Sequence, residues 1–126
     1  MLRKFNPDGA ADPGVYSHGV EASGIGRMLF VSGQVGVRKD GSVPEDVAEQ
    51  TRVAIGNLKD VLAGADMTIA DVAKYTIYLT DQAHMGDFMA GGASALSAPP
   101  PAATLLIVKG LANPALKIEI EAIAVK

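Results

Sequence analysis

The chain of 126 residues is 48% apolar and 20% charged, the composition of one globular domain rather than of a linker or a multidomain array. A full (β/α)₈ barrel or a two-halved dinucleotide fold needs about twice this length, so a site must be built from few elements or shared between subunits. Eleven basic against fourteen acidic residues leave a net charge of −3 and no basic block longer than Arg38-Lys39, which argues against nucleic acid. Without cysteine there is no disulfide, thiolate metal site or cysteine nucleophile. His18 and His84 lie far apart and have no partner at metal-ligand spacing, so neither a metal nor a cofactor is expected. No apolar run reaches the length of a signal peptide or membrane span, and the chain is expected to be cytoplasmic.

Residues 6–14 concentrate Pro7, Asp8, Gly9, Asp12, Pro13 and Gly14, turn formers that suit a loop or a frayed terminus. Regular structure is expected from about Val15. Residues 16–22 and 28–35 are β-compatible, and the glycine-containing stretch between them predicts a hairpin. Lys39-Asp40-Gly41 predicts a turn. Ser42 with Glu45 has the spacing of a capping box, with Pro44 in the first helical turn. Thr51, Ala54, Ile55, Leu58, Val61 and Leu62 then recur at the three-and-four spacing of one helical face, and Gly64 is placed to end that helix.

Residues 72–80 are rich in β-branched and aromatic side chains, and Asp81 stands where a second helix is N-capped. Gly86, Gly91 and Gly92 weaken that helix by about 1 kcal/mol each against alanine. The run Ser97-Ala98-Pro99-Pro100-Pro101 stops it, because consecutive prolines cannot donate to a helical ladder. Residues 104–108 and 117–125 read as strands on either side of a turn over 110–114. The predicted order is β-β-α-β-α-β-β, an α+β domain spanning residues 1–126.

Two helices shield one sheet face, yet the second, third and fourth strands carry apolar residues at both parities. Burying the other face calls either for a second copy of the chain or for a loop or tail folded across it. An oligomer is the preferred reading, since each wet side chain of this kind forgoes about 1.5–3 kcal/mol.

For chemistry, Ser32-Gly33-Gln34 closes an apolar strand, where serine can orient a ligand or water and Gly33 permits close backbone approach. Serine and glycine at a strand end also serve turns. Glu119 and Glu121 share a parity with Lys117; a half-buried carboxylate there can hold water or act as acid or base, although Lys-x-Glu-x-Glu is equally a protected edge strand. Tyr16, Tyr75 and Tyr78 read as packing or rim residues rather than catalysts. No phosphate-binding loop, nucleophile elbow or metalloprotease signature is present.

Taken together, Tyr16-Ser17-His18-Gly19-Val20, Leu29-Phe30-Val31-Ser32-Gly33-Gln34, the helix over 47–61 and the terminal Lys117-Ile118-Glu119-Ile120-Glu121-Ala122-Ile123-Ala124-Val125 resemble the YjgF/RidA (Rid) family over nearly the whole chain. The resemblance implies a chorismate-mutase-like α+β fold and a homotrimer with sheets facing inward. It also implies small-ligand clefts at the subunit interfaces. In the best-known branch those clefts hydrolyse reactive enamines and imines, such as 2-aminoacrylate, to a 2-keto acid and ammonia. An arginine in a Pro-Ala-Arg-Ser/Thr motif anchors the substrate carboxylate.

This sequence reads Pro101-Ala102-Ala103-Thr104 there, so Ala103 replaces the arginine. Met85 and Met89 stand where the family usually shows phenylalanine and asparagine. By the same resemblance Tyr16, Ser32, Gly33, Ala103 and Thr104 fall at ligand-binding positions, and Glu119 at the catalytic position that holds the attacking water. Three functions are implied: a cleft for a small metabolite without the standard activity, an active deaminase anchored by Lys109 or Arg38 instead, and a non-enzymatic ligand-binding trimer. The ribonuclease activity ascribed to some relatives conflicts with the acidic charge balance.

Overall fold

The structure, a computed structural model, describes residues 1–92 and 99–126. Its main sheet has the order β3-β6-β4-β5, from β3 (Met28–Val35), β6 (Ile118–Val125), β4 (Val72–Leu79) and β5 (Ala102–Ile107). Pairing is antiparallel except between β4 and β5, which run parallel. Parallel neighbours require a crossover, and α2 (Met85–Gly92) lies within the one joining them. The long helix α1 (Val47–Gly64) packs on α2, β3 and β6, so both helices cover one face of the sheet. The predicted α+β architecture, antiparallel in the main with helices on one side, is what the chain adopts.

Helix α1 forms for the expected reason. Thr51, Ala54, Ile55, Leu58 and Leu62 are all buried; Ala54, Leu58 and Leu62 join Tyr75, Ile77 and Leu79 of β4 and Ile118, Ile120, Ala122 and Ala124 of β6 in the core, while Thr51 and Ile55 lie against Gly92 of α2. Its start differs from the expectation. Asp46 is the N-cap and accepts from the Glu49 amide at 3.1 Å, whereas Ser42 donates to Asp40 within the preceding turn. Pro44 precedes the helix. Its carbonyl, with that of Ala115, accepts from the buried Gln50 amide, while Gln50 Oε1 accepts from the Lys117 N–H. These three bonds, of 2.8–2.9 Å, tie the start of α1 to the start of β6.

At its other end α1 stops at Gly64 as expected, but the left-handed residue is Asp66, with φ of +55°. Asp81 caps a short 3₁₀ turn, Gln82–His84, that runs into α2, rather than α2 itself. The stop expected over Ser97 and Ala98 lies outside the described residues. Gly91 has a packing reason, since a Cβ there would lie 2.5 Å from the Ala48 carbonyl oxygen and glycine lets the backbones of the two helices approach; a Cβ at Gly86 would meet nothing within 4 Å.

The largest departures are at the N-terminus. Residues taken as preceding regular structure form a strand, β1 (Leu2–Phe5), and it pairs with β2 (Gly19–Ala22) in a separate two-stranded sheet. The hairpin expected between the runs at 16–22 and 28–35 is therefore absent; β2 pairs with β1, and β3 pairs with β6. The sheet faces also differ. A register shift between Val72 and Lys74 turns Val72 inward, so it joins Tyr75, Ile77 and Leu79, and the opposite face of β4 is Lys74, Thr76 and Tyr78. The open face is thus less apolar than simple alternation suggests. Phe30 (70% exposed) and Leu106 (46%) still stand on it uncovered.

Candidate functional site

The candidate residues divide between the two faces of the main sheet. On the helix side, Ala103 pairs with Tyr75 across the parallel β4–β5 ladder, and both face α2. Ser17 brings Tyr16 to the same place. Its backbone bridges Ala102, its amide donates to the Pro101 carbonyl at 3.0 Å and its hydroxyl donates to the Pro100 carbonyl at 2.5 Å. The tri-proline segment has carbonyls to offer and no N–H of its own to compete for them, which makes it a firm acceptor edge.

The result is a cleft of about 240 Å³ whose walls include Tyr16, Tyr75, Met85, Phe88, Met89 and Ala103, and none of its lining residues carries a charge. Met85 and Met89, not among the site residues expected from the sequence, line this cleft. Neither Lys109 nor Arg38 lines it. Arg38 lies near the start of α1, 3.9 Å from Glu49 and 3.4 Å from the Ser42 hydroxyl.

Tyr75 is the unusual member of this wall. The residue is 1% exposed, and its hydroxyl has no hydrogen-bond partner among the described residues. Burial pushes its pKa well above the usual phenol value, so the group is a neutral donor. An unsatisfied buried hydroxyl of this kind costs about 1–3 kcal/mol. The sequence gives no sign of it, because whether a strand tyrosine finds a partner depends on what other elements bring opposite its ring.

Ser32, Gly33 and Glu119 lie on the open side. The β3–β6 register shifts between Val31 and Gln34, and Val31 is buried in the core while Ser32 is exposed. At that irregularity Gly33 lies under the Glu119 side chain, and a Cβ there would overlap the carboxylate. Glycine thus permits the half-buried Glu119 to lie across β3. Beside it on this face, the Tyr78 hydroxyl donates to Glu121 at 2.5 Å, a bond that raises the phenol pKa. Thr104 is exposed and accepts from Lys74 Nζ at 2.7 Å, on the face away from Ala103. Within one chain the structure therefore brings together Tyr16 with Ala103, and Gly33 with Glu119, but not the two pairs.

Comparison with known proteins gives a consistent picture. The family model described as Endoribonuclease L-PSP matches residues 9–126. The 2-iminobutanoate/2-iminopropanoate deaminase of Escherichia coli K12 is 36% identical over 120 residues, 90% of this chain and 88% of that protein. The putative reactive intermediate deaminase TdcF of the same organism is 34% identical over 70 residues, a match spanning about half of each chain, 55% of this one and 54% of TdcF. As a solved structure, TdcF with bound serine superposes with a TM-score of 0.70 at 31% identity, over 94% of this chain and 91% of that one. A conserved Rid-family protein of unknown function from Yersinia pestis, YyfB, reaches a TM-score of 0.86 at 33% identity, over 99% of this chain and 98% of that one.

Proposed function

Because the chain belongs to the Rid (YjgF/RidA) family, the family matched as Endoribonuclease L-PSP, we propose that it forms a homotrimer whose inter-subunit clefts bind a small metabolite without a carboxylate clamp. The observation that carries this reading is the cleft wall: Ala103 faces it beside Tyr16, with no charged residue lining it. The separation of the two residue groups supports the trimer. Glu119 and Ser32 on one sheet face serve the Ala103 cleft on the other only if a neighbouring copy supplies them, which makes the single chain an incomplete site. Exposed Phe30 and Leu106 give the open face the apolar area for that contact.

The chemistry open to such a cleft is the addition of water to a C=N carbon. The water is held by Glu119, which accepts its proton and returns it to the nitrogen of the adduct; transfer of the remaining hydroxyl proton to that nitrogen then breaks the C–N bond, releases ammonia and leaves a carbonyl group. Relatives named as deaminases of 2-iminobutanoate and 2-iminopropanoate act on carboxylated imines. Here the carboxylate has no guanidinium fork to meet. Charge-assisted hydrogen bonds contribute about 1.5–3 kcal/mol each, so losing a bidentate pair lowers affinity on the order of a hundredfold or more.

The test is ammonia release from 2-aminoacrylate. The expected result is no rate above background for the native chain and a gain on Ala103→Arg that Glu119→Ala abolishes. Efficient native turnover lost in Glu119→Ala overturns the claim that Ala103 disables this reaction. An Ala103→Arg variant that stays inactive while still binding small ligands favours a binding protein without chemistry.

A further inference from the structure

The Tyr75 hydroxyl is sealed from solvent, has no hydrogen-bond partner among the described residues, and belongs to a ring that lines the uncharged cleft. Buried polar groups in folded proteins are satisfied in the great majority of cases, and each exception calls for a partner or a functional role of its own. We propose that Tyr75 is the polar anchor of this cleft and that the ligand it selects is a small neutral molecule with a carbonyl or imine acceptor. The inference rests on the small-molecule cleft proposed above and names the ligand class.

Three features converge on that class. First, the lining of the single chain contains no cation to neutralise a carboxylate, and the Glu119 carboxylate that a neighbouring copy is proposed to add would repel one, so an anionic ligand would lose its hydration and recover nothing. Second, a phenol held in the protonated state is a good donor, and its natural complement is a neutral oxygen or nitrogen lone pair. Third, the cleft of about 240 Å³ equals the liquid volume of roughly eight waters, which suits a molecule with a handful of non-hydrogen atoms.

Side chains that can yield line the same cleft. Met85, 39% exposed, and Met89 are unbranched side chains on α2, able to rotate aside where branched residues would hold their position. Ala103 contributes by omission: it pairs with Tyr75 across the β4–β5 ladder, and its single methyl leaves the acceptor end of the ligand free to approach the ring. Tyr16, the other tyrosine in the wall, is edge-on to His18 with ring centroids 5.5 Å apart and so is fixed as a side of the cleft rather than as its anchor.

The experiment titrates the full-length native chain and Tyr75→Phe with two probes, cyclopentanone as a neutral carbonyl and 2-oxobutanoate as its charged counterpart, following ligand-observed NMR and the tyrosine absorbance band. Cyclopentanone is expected to bind the native chain saturably, at least tenfold tighter than 2-oxobutanoate, and to shift the tyrosine band. Tyr75→Phe, which fits the same space and folds without the unpaired hydroxyl, is expected to weaken cyclopentanone at least fivefold and to abolish the band shift. Equal cyclopentanone affinity in the two proteins overturns the role of Tyr75 while leaving the cleft in place. Tighter native binding of 2-oxobutanoate overturns the neutral ligand class. Failure of the native chain to bind either probe overturns the small-molecule cleft itself, and this inference with it.

Discussion

The two faces of the main sheet solve the same problem differently. On the helix side, α1 and α2 bury β4 and β6 beneath an apolar layer whose polar members are satisfied: Thr51 donates to the Val47 carbonyl and Gln50 meets three backbone groups. Tyr75 is the exception there. On the open side, exposed Phe30 and Leu106 alternate with polar side chains already paired to one another, Tyr78 with Glu121 and Lys74 with Thr104. A face that sets uncovered apolar side chains beside polar pairs is suited to meeting another protein surface, while a sealed face with one unpaired hydroxyl among the described residues is suited to a small ligand.

The contrast can be broken first on the covered side. Leu58 is 0% exposed beneath β4 and β6, and Leu58→Ala is expected to lower stability by about 3 kcal/mol, read as a reduced urea midpoint. Gly91→Ala, which drives a methyl into the Ala48 carbonyl, should cost about 1–3 kcal/mol by the same measurement. A smaller effect is pH-dependent. Tyr75 ionises near pH 10 when unfolded and only above that in the fold, so the unfolded chain binds fewer protons there and stability falls as pH rises past 10. That slope is at most about 1.4 kcal/mol per pH unit. Tyr75→Phe should remove its share and leave that of Tyr78, whose pKa Glu121 also raises.

Changes on the open side should hardly register as lost packing within the chain. Phe30→Glu is expected to cost the isolated fold under about 0.5 kcal/mol yet to reduce the sedimenting mass from that of the proposed trimer to that of a monomer with an unchanged far-ultraviolet spectrum; a trimer retained by the variant would place the interface elsewhere, and a native chain that sediments as a monomer would overturn the trimer. Smallest in energy is Gly33→Ala. The atoms a new methyl meets belong to the flexible Glu119 side chain, so the thermal midpoint should hardly move, while the Glu119 carboxyl carbon resonance shifts as the side chain is displaced.

Periodicity made β4, β5, β6 and the end of α1 readable within a residue or two, because each buries one face and repeats its apolar residues accordingly, while the N-cap of α1 lies four residues beyond the Ser42 cap that the sequence suggests. Pairing was not readable. Nothing in residues 16–35 says that β2 will choose Leu2–Phe5 over β3, since a four-residue strand carries too short a pattern and its partner is fixed by tertiary packing. The inward turn of Val72 follows a register shift that alternation cannot anticipate. Ala103 was legible as a missing arginine through family resemblance alone, and Glu119 through its place in the terminal motif. That these two lie on opposite sheet faces required the ladder register.

The order β3-β6-β4-β5 has a consequence in time. Strand β6, the last regular element in the sequence, is inserted between β3 and β4 near the middle of the sheet. During synthesis every earlier strand emerges before the element that joins them. Until β6 is available, β3 has no partner, and β4 can pair only with β5. The growing chain therefore carries two unpaired apolar edges that invite contact with other nascent chains. Completion of the sheet waits until β6 has emerged from the ribosome, and removing even this one strand takes with it the connection between the two halves of the sheet.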